Sequence, residues 1–225
     1  MSAAQEPVAG DPRVLVETSH ALPLISFSIA LRTGSTLDPP GMMGATRMLT
    51  RWMRRTGGGR DSQAIDTEID ALGGAFGADV SPSTLVFQGT VISRSLSGLM
   101  RIATDILLRP GFSEAELERL RRETLAELTE SLDDDRGLAR RWFRHRVFGE
   151  HPYARSVTGT ASSLARITGH DLNALYARIL RPDNLIFAFS GDIDRPRAEA
   201  LAAELRSQLP AGEAPQDQTV DPLVI

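Results

Sequence analysis

Apolar and polar positions alternate along several short stretches of the chain. Five segments are rich in β-branched and apolar side chains and are bounded by glycine, proline or serine: residues 13–18, 23–34, 75–81, 83–92 and 184–193. This pattern predicts five strands, with Ser81, Pro82 and Ser83 as a hairpin turn between the third and the fourth.

Other segments repeat their apolar residues with the spacing of a helix. They are residues 42–56, 61–74, 94–108, 113–132, 137–149, 162–168, 169–180 and 196–210. In the helix 137–149, Trp142 and Phe143 are predicted to form the buried side, with the arginines extending outward. The order of two strands, two helices and two strands does not fit regular βαβ alternation. It predicts an α+β domain with a mixed, largely antiparallel sheet covered by helices.

Composition narrows the function classes. A chain of 225 residues with 41% hydrophobic residues is long enough to bury a sizeable core. A net charge of −4 does not suggest binding to nucleic acid or to an anionic membrane. The basic residues are all arginine, which removes lysine chemistry, and the absence of cysteine excludes disulfides and thiol nucleophiles.

The two ends of the sequence differ in composition from the middle. Residues 1–12 are small and polar, which predicts a flexible N-terminus, and they show no signal peptide. Residues 211–225 have the composition of a linker or tail. The apolar runs are shorter than the roughly 20 residues that span a bilayer, so a soluble chain is expected. The sequence does not indicate its cellular compartment.

The helix predicted over 42–56 carries the most informative polar positions. Arg47, Thr50 and Arg51 are spaced i, i+3 and i+4, as in helices that hold a metal together with a general base. None of these residue types can do that work, and periodicity alone favours a solvent-exposed polar face. Elsewhere, none of the four histidines has metal-ligand spacing, and no G-x-S-x-G motif is present.

The sequence around this helix resembles a known family. "RTGSTLDPPGMMGATRMLTRWMRRTG" is similar to the start of the zinc peptidases of the M16, or insulinase/pitrilysin, family, in which a turn leads into a helix with the inverted motif H-x-x-E-H. "LMRIATDILLRPGFSEAELERLRRETLAEL" and the late segment "RPDNLIFAFSGD" agree in order. The resemblance covers residues 13–210 and implies an M16 (LuxS-like) N-terminal half-domain, with 211–225 leading toward a second half-domain.

The resemblance also places the zinc site, position by position. The two zinc histidines fall on Arg47 and Arg51, the general-base glutamate on Thr50, and the third ligand on Glu127. A second family glutamate falls on Leu120. Arginine has no lone pair to offer a metal, and threonine cannot activate water as a carboxylate does. The resemblance therefore implies no catalytic residues, no bound zinc and no hydrolysis by this chain alone, with zinc only in a partner subunit.

Glu127 leads to a further hypothesis. If the family fold holds, Glu127 faces Arg47 and Arg51, and a guanidinium replaces zinc as the positive charge between the two helices. A buried pair of this kind would make Glu127→Gln cost about 3 kcal/mol. The alternative is an ordinary solvated carboxylate.

Three functions remain open at this stage. In the first, the chain is a non-catalytic partner of an active M16 subunit, as a heterodimer or in a homo-oligomer. It would help to enclose unstructured peptides that bind by strand addition, and Arg47, Arg51 and Arg54 would favour acidic or carboxylate-ended peptides. In the second, it is a zinc-free scaffold subunit of a larger complex. The third, a peptidase with a relocated site, lacks a cluster of ligand residues to support it.

Overall fold

A five-stranded sheet forms the centre of the molecule. The computed structural model describes residues 11–215. The strands of this part are β1 (Val14–Thr18), β2 (Leu24–Leu31), β3 (Thr56–Gly57), β4 (Arg60–Asp61), β5 (Ala75–Val80), β6 (Leu85–Ile92) and β7 (Leu185–Gly191). The main sheet has the order β1-β7-β2-β6-β5, in which β1 and β7 are parallel and all other neighbours are antiparallel. The predicted mixed, largely antiparallel sheet is confirmed.

The predicted helices are also present. They are α1 (Ala45–Arg55), α2 (Ser62–Ala71), α3 (Leu96–Leu108), α4 (Glu114–Glu130), α5 (Asp135–Phe148), α6 (Ala161–Leu164), α7 (Gly169–Ile179) and α8 (Arg195–Ser207). The helix α1 begins at Ala45 rather than at residue 42, because Gly44 has a left-handed backbone conformation with φ of 93°. Across residues 11–215, every helix is too short or too polar to cross a bilayer.

One continuous core joins the sheet to the helices. Along β2, Ile25, Phe27, Ile29 and Leu31 are buried in this core, whereas Ser26 between them is exposed. This alternation follows from the period of two in a strand, which places successive side chains on opposite faces of the sheet. The helices α1 and α3 bury their apolar sides in the same cluster. The helix α1 packs beside β5, the strand at the edge of the sheet.

The glycine-rich segment after α1 forms a small hairpin. In it, the two-residue strands β3 and β4 pair with each other. Gly58 and Gly59 form its turn with φ of 59° and 78°, a combination that suits the tight turns of such hairpins. Arg60 fixes the hairpin to α3 through an ion pair with Asp105.

The orientation predicted for α5 is wrong. Trp142 is 66% exposed and Phe143 is 70% exposed. No residue of α5 is buried, and its half-buried positions are Gly137, Leu138, Arg144 and Phe148. Gly137, Arg144 and Phe148 lie on the other side of the helix from the two aromatic rings, because each residue turns the helix by about 100°, whereas Leu138 lies one turn before Trp142. Two adjacent aromatic residues therefore did not mark the inner side.

Some predicted regions fall outside the part that the structure describes. The flexible N-terminus predicted for 1–12 lies mostly in residues 1–10, and the tail predicted for 211–225 lies partly in residues 216–225. The half-domain bounds of 13 and 210 remain predictions.

Candidate functional site

The start of α1 is fixed by a buried carboxylate from the preceding turn. Asp38 accepts hydrogen bonds from the backbone N–H groups of Gly44 at 2.7 Å and Thr46 at 2.8 Å, and from the Thr46 hydroxyl at 2.6 Å. Burial raises the pKa of Asp38, although these hydrogen bonds act in the opposite direction. Because Asp38 satisfies N–H groups that the first turn leaves free, it determines where α1 begins.

The helix α1 is enclosed by the rest of the fold. Its tryptophan, Trp52, donates from Nε1 to the carbonyl oxygen of Ser113 at 2.8 Å, and its ring centroid lies 4.5 Å from that of Phe112. Thr50 is only 3% exposed, and its hydroxyl donates to the Thr46 carbonyl at 2.7 Å. The solvent-exposed polar face that periodicity favoured for α1 is therefore wrong, since other elements cover this helix on several sides.

Two arginines of α1 contact one glutamate of α4. Arg47 donates from Nη2 to Glu127 Oε2 at 3.0 Å, and Arg51 Nη1 forms an ion pair with Glu127 Oε1 at 2.8 Å. Arg51 Nη1 also donates to the hydroxyl of Thr124 at 3.0 Å. Both oxygens of Glu127 thus face guanidinium groups, which is the arrangement that the sequence hypothesis anticipated for this residue.

A second glutamate extends this cluster along the two helices. Glu123 Oε2 lies 2.5 Å from Arg55 Nη2 and 3.4 Å from Arg51 Nη2, and Arg119 donates to Glu123 Oε1 at 3.1 Å. Glu123, Thr124 and Arg55 are not among the residues that the sequence predicts for the site. The sequence nevertheless contains a signal for Glu123 and Arg55. The arginines on α1 and the glutamates on α4 are each spaced four residues apart, and residues with this spacing share one helix face. We call Arg47, Arg51, Arg55, Glu123 and Glu127 the α1–α4 charge cluster.

The α1–α4 charge cluster is half-buried rather than deeply buried. The exposed fractions of the side chains are 30% for Arg47, 25% for Arg51 and 40% for Glu127. Water therefore screens these pairs, and each is worth less than a fully desolvated pair. The Nη1 group of Arg47 is itself buried and has no acceptor among the described residues.

The remaining predicted positions lie apart from this cluster. Arg54 points to α2, where its Nη2 lies 2.5 Å from Asp66 Oδ1. Leu120 is fully buried in the core. The structure thus brings together Arg47, Arg51 and Glu127, but it separates them from Arg54.

The residues of the cluster do not fit a zinc ion. Zinc requires donors with free lone pairs, and a guanidinium offers only N–H groups and a positive charge. The one carboxylate at these positions, Glu127, already accepts from two arginines. Across residues 11–215, no group of three or more His, Asp or Glu side chains is arranged to hold a metal ion.

Comparison with known proteins gives a family assignment. The model of the family described as insulinase (peptidase family M16) matches residues 13–161. A protein of Streptomyces coelicolor named as an uncharacterized zinc protease is 24% identical over 95% of this chain and 46% of its own length. A protein of Helicobacter pylori named as a non-peptidase homolog, YmxG, is 22% identical over 89% of this chain and 46% of its own length.

A solved structure shows the same fold. The crystal structure described as a peptidase M16 inactive domain from Pseudomonas fluorescens has a TM-score of 0.85 and 26% identity, over 91% of this chain and 50% of its own. The chain spans about half the length of the curated relatives it matches. Its fold is therefore that of an M16 half-domain.

Proposed function

The chain belongs to the M16 peptidase family, and we propose that it is a non-catalytic half-domain that pairs with a zinc-bearing M16 unit and helps to hold peptide substrates. One observation carries this proposal: Arg47 and Arg51 both contact Glu127 at the positions where the family resemblance places two zinc histidines and a glutamate. The ion pairs take over the role of the metal in joining α1 to α4.

The position of the general base supports the same conclusion. In a zinc peptidase of this family a glutamate one turn along the helix would activate the attacking water. Thr50 stands there, it is buried, and its hydroxyl donates to its own helix at the Thr46 carbonyl. A threonine in this arrangement can neither take a proton from water nor reach a substrate, so this position offers no general base for the first step of peptide hydrolysis.

Peptide binding is proposed at the edge of the main sheet next to α1. The strand β5 is the last strand on that side, and it pairs only with β6 among the described residues. An extended peptide can add to such an edge through main-chain hydrogen bonds. Arg47 and Arg51, on the adjacent helix, have side chains that are 30% and 25% exposed, and their positive charge supports a preference for acidic or carboxylate-ended peptides.

The partner is proposed from the family resemblance and from length. The chain spans less than half of the relatives it matches, one of which is named as a zinc protease. A complete peptidase would therefore need a zinc-bearing unit besides this half-domain. A zinc-free scaffold role in a larger complex is the competing function, and the same experiment separates the two.

The experiment is co-purification of the tagged full-length protein from its own cells, followed by mass spectrometry and a peptidase assay. We expect a stoichiometric M16 partner with an intact H-x-x-E-H motif. Peptide hydrolysis should disappear when the glutamate of that motif is replaced by glutamine, and should persist when Thr50 is replaced by serine. A complex without such a partner and without hydrolysis would contradict the proposal and favour the scaffold role.

A further inference from the structure

The helix α5 exposes two aromatic side chains to solvent. Trp142 and Phe143 are each about two-thirds exposed, and Val147, one turn after Phe143, is 39% exposed. Arg136, Arg140 and Arg146 lie on the same outward side. We call these six residues the α5 face. Tryptophan, phenylalanine and arginine are the residue types enriched where proteins bind each other.

The arginines of the α5 face are free of ion pairs within the described residues. None of the guanidinium groups of Arg136, Arg140 and Arg146 has a carboxylate within 4.0 Å there, whereas all four arginines of α1 are paired. The sequence of α5 holds five arginines and one acid, Asp135, in a chain whose net charge is −4. The α5 face thus carries three guanidinium groups whose charge is not paired with a carboxylate among the described residues.

A cavity lies beside the α5 face. It has a volume of about 470 Å³ and is lined by Trp142 and His145 of α5, by Met43 before α1, and by His151 and Arg155 of the segment after α5. The ring centroids of Trp142 and His145 are 6.5 Å apart. A concave, partly apolar site of this kind accepts a protruding side chain, which a flat surface does not provide.

From these observations we propose that the α5 face is the docking surface for a protein partner that presents carboxylates around apolar side chains. Apolar residues of that protein would cover Trp142 and Phe143, and its carboxylates would pair with the three arginines of the α5 face. One of its side chains would enter the cavity. Electrostatic complementarity of this kind speeds the encounter and fixes the orientation of the complex.

The charges exclude one other occupant. Two copies of this chain cannot pair through their α5 faces, because like positive charges would meet. The cavity beside the α5 face favours a protein over an anionic membrane, because it accepts a protruding side chain. This proposal does not depend on the α1–α4 charge cluster or on the loss of zinc.

The experiment uses the fluorescence of Trp142 in the full chain. The protein has two tryptophans, and Trp52 is fully buried, so quenching by acrylamide reports mainly on Trp142. The probe is a synthetic amphipathic peptide of glutamate and leucine, and the matched peptide has lysine in place of glutamate. We expect the acidic peptide to shift the emission to the blue and to protect it from quenching. Raising the salt from 50 to 500 mM should weaken binding about fivefold.

Charge-reversal variants test the surface itself. Arg136→Glu combined with Arg140→Glu should weaken binding of the acidic peptide about tenfold or more. The matched control, Arg178→Glu combined with Arg197→Glu, changes two exposed arginines of other helices and should leave binding unchanged. The proposal is overturned if the acidic peptide gives no shift, if both peptides bind equally, or if both double variants weaken binding equally. It is also overturned if only anionic phosphatidylglycerol vesicles or self-association change the signal.

Discussion

Arg51 Nη1 lies 2.8 Å from Glu127 Oε1, and this ion pair joins α1 to α4. The family resemblance places a zinc histidine and a zinc glutamate at these two positions. In such a site the protein donors meet at a metal, whereas here opposite charges meet directly. Opposite charges thus link the two helices without a metal ion, and an arginine supplies positive charge but no Lewis acid.

Replacing Glu127 tests how much this link contributes to stability. Since Glu127 is 40% exposed, we expect Glu127→Gln to lower the free energy of unfolding by about 1 kcal/mol, not by the larger amount that a buried pair would give. The measurement is chemical denaturation at low and high salt, and the loss should shrink at high salt.

The matched control for that change is Glu130→Gln, on the same helix. Glu130 is exposed and forms no ion pair among the described residues, so its replacement should change stability by only a few tenths of a kcal/mol. Equal effects of the two substitutions would show that Glu127 is an ordinary surface carboxylate.

Arg51→Lys separates the shape of the cation from its charge. Arg51 reaches Thr124, Glu123 and Glu127 at once, which a lysine with one ammonium group cannot do. We expect a loss of about 1 kcal/mol in the free energy of unfolding. Arg101→Lys, at a 70% exposed arginine with one contact at 4.0 Å, should have no measurable effect. An unchanged free energy of unfolding in Arg51→Lys would mean that a positive charge at this position is sufficient to join the two helices.

The sequence predicted much of this arrangement, for identifiable reasons. Strand alternation and helix periodicity gave the elements, and the family resemblance selected Arg47, Arg51 and Glu127. Periodicity failed for Thr50 and for Trp142, because it sorts positions onto faces but does not say which face another element covers. The partners Glu123 and Arg55 become apparent only when the charges of two distant segments are considered together. Arg54 could not be excluded from the site without knowing that α2 carries Asp66 beside it.

Asp38 is expected to be essential for the start of α1. Asn at this position keeps one acceptor oxygen but turns an amide donor toward N–H groups, so Asp38→Asn should cost about 2 kcal/mol at neutral pH. The matched control is Asp61→Asn at the exposed N-cap of α2, where asparagine caps as well as aspartate and stability should hardly change. Thermal unfolding of both variants measures this difference, and equal losses would contradict a special role for Asp38.

The pH dependence of stability gives a separate test of the burial of Asp38. Burial raises its pKa above the ordinary value of 3.8, so the folded protein holds this proton more tightly than the unfolded chain does. Its contribution is fully present below that value and is lost as pH rises through the folded pKa. The stability of wild type minus that of Asp38→Asn should therefore fall as pH rises from 3.8 and then become constant. A difference that rises with pH would show a lowered pKa instead.

Gly44→Ala tests the tight contact before α1. Gly44 has φ of 93°, and an added Cβ would lie 2.7 Å from the Thr158 carbonyl oxygen. Gly59 also has a positive φ, 78°, but open space around the Cβ position. We expect Gly59→Ala to cost about 1 kcal/mol, because alanine strains the backbone at a positive φ. Gly44→Ala should cost at least about 2 kcal/mol more, because steric overlap with Thr158 is added to the same backbone strain. Equal costs, from denaturant unfolding, would show that Thr158 can move away freely.

The most direct test of the central claim is the zinc content of a variant with the family motif restored. The variant Arg47→His, Thr50→Glu, Arg51→His supplies H-x-x-E-H beside Glu127, and zinc per folded chain is measured by inductively coupled plasma mass spectrometry after dialysis. We predict about one zinc per chain for the variant, almost none for the wild type, and loss of zinc when Glu127→Gln is added. Stoichiometric zinc in the wild type, or a folded triple variant without zinc, would contradict the assignment of these positions as a lost metal site.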